Sequence, residues 1–79
     1  MSNQARPKLT PMQWLVLERL AQGESNAAIG AALGLGLSTV ASHLQAIYQR
    51  LPHANRGGKR AAAVAWYLTV GRQQREEAS

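Results

Sequence analysis

The chain has 79 residues, no cysteine and a formal net charge of +5 with a pI near 10.9. That length makes one small domain, which hides only about 60–65% of its unfolded surface, and without cysteine neither a disulfide framework nor a thiolate metal site can reinforce it. Hydrophobic residues make up 46% of the chain, led by alanine and leucine with no period-two alternation, which predicts an all-α fold; the positive balance favours a polyanionic partner, most often nucleic acid.

Residues 1–8 are polar, contain Pro7 and are expected to form a flexible N-terminal arm carrying Arg6 and Lys8. They lack the apolar stretch of a signal peptide. The longest apolar run, 61–70, is about half what a membrane span needs, so a cytoplasmic protein with no membrane partner is expected. Thr10-Pro11 reads as a helix start, with threonine at the N-cap and proline at N1, where its missing N–H costs nothing. Leu9 packs back as a staple. Helix 1 is predicted over 11–22, with Gly23 as its left-handed stop. Val16, Leu17 and Leu20 form its core stripe. Met12, Trp14 and Leu15 add more apolar surface than one buried face requires.

Helix 2 is predicted over 26–33, capped by Ser25 or Asn26 and stopped by Gly34. Ile29 and Leu33 are its anchors; Ala27, Ala28, Gly30, Ala31 and Ala32 are small enough to let a neighbour come close. The Gly34-Leu35-Gly36 link leaves room only for a tight turn into helix 3, predicted over 37–51. Two short helices joined this way make a helix-turn-helix, whose second helix enters the DNA major groove. In helix 3, Val40, Leu44, Ile47 and Leu51 fall at i, i+4, i+7 and i+11, one face of a 3.6-residue helix. The opposite face carries Ser38, Ala41, Ser42, Gln45 and Gln49, all small or uncharged, a surface that could reach base edges without bulk. An ordinary amphipathic surface helix would show the same stripe.

Leu51-Pro52 ends helix 3, and 52–59 is a loop by composition, with a proline, an asparagine and a glycine pair. Arg50, Arg56, Lys59 and Arg60, four of the nine basic residues, fall between positions 50 and 60. Helix 4 is predicted over 59–70 on its alanines, stopped by Gly71, with Val64, Leu68 and one of Ala61 or Ala65 facing the core. Trp66, Tyr67 and Val70 are then left at the core edge or outside. Residues 72–79 are a polar C-terminal tail.

Taken in register, LTP at 9–11, VL at 16–17, LAQG at 20–23, SN at 25–26, I at 29, LGL at 33–35, TV at 39–40, HL at 43–44 and I at 47 resemble the DNA-binding domain of LuxR/GerE-type bacterial transcription regulators. The resemblance covers 9–71 and implies a four-helix domain in which helices 2 and 3 form the helix-turn-helix and helix 4 often mediates dimerisation. The chain departs from that pattern where it matters for DNA. The cation usual after the TV pair is Ala41, Leu37 and Ser38 stand where polar or charged residues are usual, the serine after LGL is Gly36, and the loop before helix 4 is longer. The module is expected to be a stand-alone head, without the receiver or ligand-binding domain commonly found ahead of it in that family.

Chemistry-bearing residues do not assemble into a catalytic or metal constellation. His43 lies beside the core stripe and His53 in the basic loop, with no third ligand; Ser38, Thr39 and Ser42 have no base placed by sequence; the glycines at 30, 34 and 36 follow no strand and precede no lysine, unlike a phosphate loop. No enzyme activity, metal or cofactor is expected. The expected partner is double-stranded DNA, with Ser38, Ala41, Ser42 and Gln45 facing bases, and Thr39, Arg50, Arg56, Lys59, Arg60 and Lys8 on phosphates. A homodimer through helix 4 is expected to use Trp66, Tyr67 and Val70. The alternative is a helix-turn-helix module that binds and modulates another transcription regulator through Trp14, Leu15, Trp66 or Tyr67.

Overall fold

A computed structural model describes residues 8–51, 58–71 and 73. Among them are helices α1 (Pro11–Ala21), α2 (Asn26–Leu33), α3 (Leu37–Arg50) and α4 (Lys59–Trp66), the last running on into a π-helical turn at Tyr67–Gly71. The arm at 1–7, the loop at 52–57 and most of the tail lie outside the described residues.

Local chemistry sets each boundary. Thr10 begins α1 with a reciprocal capping box: its hydroxyl accepts from the Gln13 amide at 3.1 Å, and the Gln13 side chain accepts from the Thr10 amide at 3.0 Å. Gln13 is buried as a result, a second half of the cap that the T-x-x-Q spacing signals. α1 ends at Ala21 with Gln22 as C-cap, and Gly23 follows at φ 91°. Ser25, rather than Asn26, caps α2, accepting from the Ala28 amide at 3.1 Å. Gly34 turns the chain out of α2 at φ 74°, a left-handed conformation that costs a glycine nothing. Gly36 caps α3 by position alone, with no side-chain bond, and α3 ends at Arg50 because Leu51 is already extended ahead of Pro52.

The core is one cluster: Val16, Leu17 and Leu20 from α1, Ile29 from α2, Val40, Leu44 and Ile47 from α3, then Leu51, Ala63 and Tyr67. The stripes read for helices 1 and 3 therefore face inward, and Leu9, Met12, Trp14 and Leu33 pack half-buried around them. α4 differs from expectation by one position. Ala63 and Tyr67 are buried, Val64 is half-buried, Leu68 is 50% exposed, and Ala61 and Ala65 face outward. A tyrosine ring hides more apolar area than a leucine, and here it meets Trp14 at a centroid distance of 6.3 Å. Trp14 also stacks on Trp66 at 6.0 Å, so the largest part of the surplus apolar surface of α1, the Trp14 ring, packs against α4 and the turn beyond it. Gly71 does not stop α4; it belongs to the π turn and lies directly against the Trp66 ring. Within that turn the Thr69 hydroxyl donates to the Ala65 carbonyl at 2.8 Å, a competition with the backbone ladder of the kind that distorts helices.

Candidate nucleic-acid interface

α3 is held by α1 and α2 along its buried stripe, and the chain bends by 106° between α2 and α3, within the range of a helix-turn-helix. The turn is tight because α2 lets it be. The Leu35 amide donates to the Gly30 carbonyl at 2.8 Å, and any Cβ at position 30 would collide with the Leu35 carbonyl oxygen. This close return pins the start of α3 against the end of α2 and fixes which face of α3 points away.

That outer face contains the four residues read as base-facing. Ser38, Ala41, Ser42 and Gln45 are all exposed, as are Thr39 and Gln49. Leu37, at the first position of α3, is 60% exposed. His43 is half-buried at the edge of the core stripe. Hydroxyls, a methyl, a carboxamide and an isobutyl group thus share one surface free of Asp, Glu, Lys and Arg.

The cations lie outside this face, and three have protein partners. Arg50, exposed at the end of α3, donates through Nη1 to the Lys8 carbonyl at 3.1 Å and ties the segment before α1 to α3. Arg60, in the first turn of α4, donates through Nη1 to Asn26 Oδ1 at 3.0 Å and through Nη2 to the Glu24 carbonyl at 3.1 Å. It therefore joins the start of α4 to the start of α2, a link between residues 34 and 36 positions apart for which no local spacing gives a signal. Arg60 and Arg50 were read from the sequence purely as phosphate contacts; each also has a positioning role within the fold. Lys8 and Lys59 are exposed, and Arg56 lies outside the described residues. Arg19 is neutralised by Glu24 in an ion pair at 3.0 Å.

The residues read as a dimer surface separate. Tyr67 is only 8% exposed and belongs to the core, where its ring packs against Trp14. Trp66 is half-buried on Trp14, while Val70 is 42% exposed. Leu68, read as core, is the more exposed of the two aliphatic residues. It lines an open groove of about 690 Å³ with Leu20, Ala21, Val64 and Ala65. Among the described residues no helix is long and apolar enough to cross a membrane.

A short helix with small side chains, a turn closed on its own backbone and a longer helix exposing an uncharged polar face together define a helix-turn-helix domain. The chain belongs to the luxR family of bacterial regulatory proteins, whose pattern it matches over residues 7–64. It is 46% identical over 48 residues to the "Putative HTH-type transcriptional regulator YhjB" of Escherichia coli (strain K12). That stretch covers 61% of this chain and 24% of the relative, so the chain spans about a quarter of the relative's length. No solved structure matches the chain.

Proposed function

We propose that this chain binds double-stranded DNA and regulates transcription in the bacterial cytoplasm, laying α3 in the major groove. The observation that carries this reading is the outer face of α3: Ser38, Ala41, Ser42 and Gln45 stand exposed together on the helix that a helix-turn-helix presents to DNA. Gln45 offers a two-pronged contact to adenine, and the serines donate or accept at either kind of pair. Lys8, Lys59, Arg56 and Thr39 contact phosphates, with Arg50 and Arg60 sharing that work with their structural bonds. Two copies joined through the end of α4 engage two half-sites, with Leu68 and Val70 in place of Tyr67 and with Trp66 at the rim.

The reading is tested by titrating the chain into mixed genomic fragments at two salt concentrations. Binding should weaken as salt rises, log K falling by about 0.9 per contacted phosphate for each unit of log salt. Absence of binding at low salt overturns it. A module that modulates another regulator is the second reading, favoured by the lack of charge on the outer face of α3. The mutual packing of Trp14, Trp66 and Tyr67 counts against it, because those rings were its anchors.

A further inference from the structure

The outer face of α3 is notable for what it can and cannot recognise. Guanine presents two acceptors to the major groove, and the commonest specific contact to them is a bidentate arginine or lysine. From Leu37 to Gln49 this helix has neither. Its first cation, Arg50, stands at the opposite end and is bonded to the Lys8 carbonyl.

Leu37 is the complementary observation. It is the most exposed large hydrophobic side chain among the described residues, at 60%, and it occupies the first turn of α3, the part of such a helix that meets base edges. Leu37, Ala41 and Gln45 follow one another at i, i+4 and i+8, so they form one column along the helix, with Ser38 and Ser42 beside it. An isobutyl group, a methyl and a carboxamide therefore succeed one another across the outer face. The apolar group on a base edge in the major groove is the C5-methyl of thymine, and the edge that a carboxamide matches is that of adenine.

We infer that α3 reads A·T pairs through thymine methyl groups packed on Leu37 and Ala41, with Gln45 on an adjacent adenine, so that its site is A·T-centred and methyl-dependent. The inference rests on the DNA-binding reading and adds the base chemistry that reading leaves open. Leu37 is the specificity-determining residue, since it supplies the largest apolar surface and the fold does not use it.

The test is selection of bound duplexes from random-sequence DNA with the full chain, followed by anisotropy titration of the selected duplex. In a second duplex every thymine of the half-site is replaced by deoxyuridine, which keeps the pairing and removes only the methyl. The selected sequences should centre on A·T, and deoxyuridine should weaken binding about three- to fivefold for each methyl lost, with no change on unselected DNA. Leu37→Ala should lose the share of the deoxyuridine penalty that belongs to the methyl on Leu37 and keep only that of the methyl on Ala41, and Gln45→Arg should move the preference at its position from adenine to guanine. A G·C-centred site, or equal wild-type affinity for thymine and deoxyuridine duplexes, overturns the inference while leaving DNA binding intact. So does a Leu37→Ala variant that keeps the full deoxyuridine penalty. Failure of the wild type to bind any duplex overturns the DNA reading and this inference with it.

Discussion

Gly30 and Gln45 show how differently single residues act in this fold. At position 30 the next turn of chain passes so close that a methyl group has nowhere to go: its neighbours would be the Leu35 carbonyl and a Val40 methyl. Alanine normally favours a helix over glycine by about 1 kcal/mol. Here overpacking works against that gain, at a cost of about 1–3 kcal/mol. Gly30→Ala is therefore expected to lower the melting temperature measured by circular dichroism, and an unchanged or raised value would mean the turn yields easily. Gln45 is the converse, exposed and without structural duty. Gln45→Ala should leave the melting temperature unchanged and weaken binding to the preferred site by about 1–3 kcal/mol, with little effect on random DNA. Equal losses on both kinds of DNA would show that it does not discriminate bases.

At the scale of elements, the first three helices were legible because each announces itself. Thr10-Pro11, Gly23, Ser25, Gly34 and Pro52 mark their ends, and Val16, Leu17 and Leu20, then Val40, Leu44 and Ile47, mark their inner faces. α4 was legible as a helix but not in its rotation. With alanine at 61, 62, 63 and 65, no stripe dominates, and whether Tyr67 or Leu68 turns inward depends on where Trp14 lies across the interface. The contacts of Arg60 were hidden for a related reason: its acceptors, Asn26 and the Glu24 carbonyl, come close only after α4 has docked. This separates two neighbouring cations that sequence alone treats alike. Lys59→Ala should reduce the salt slope of DNA binding by about one and leave stability alone. Arg60→Ala removes two hydrogen bonds at an exposed site, each contributing about 0.5–1.5 kcal/mol at most, so thermal melting should fall by a few degrees, at about 4–8 °C per kcal/mol for a domain this small. Equal melting temperatures for the two variants would reduce Arg60 to a surface charge.

The described residues form a slab measuring 38 × 30 × 19 Å, and α3 is the helix that a helix-turn-helix of this kind offers to a groove. One such head contacts few base pairs, and helix-turn-helix proteins usually gain specificity by placing two heads on half-sites about 34–36 Å apart. Leu68 and Val70 are exposed in the π-helical turn that continues α4, where aliphatic groups joined across a two-fold axis would leave water, while Tyr67 stays in the core of each copy. Leu68→Glu/Val70→Glu places charges on that surface and removes nothing buried, so the helical circular dichroism of the variant should match its parent. Sedimentation equilibrium should show the wild type associating with a dissociation constant below about 1 mM, which corresponds to roughly 4 kcal/mol, and the double variant remaining monomeric. On a duplex carrying two half-sites one helical turn apart, the variant should also lose the steep, cooperative part of the binding curve while keeping its affinity for a single half-site. A wild type that is monomeric at millimolar concentration, or a variant that dimerises as well as its parent, would remove the end of α4 as the dimer surface.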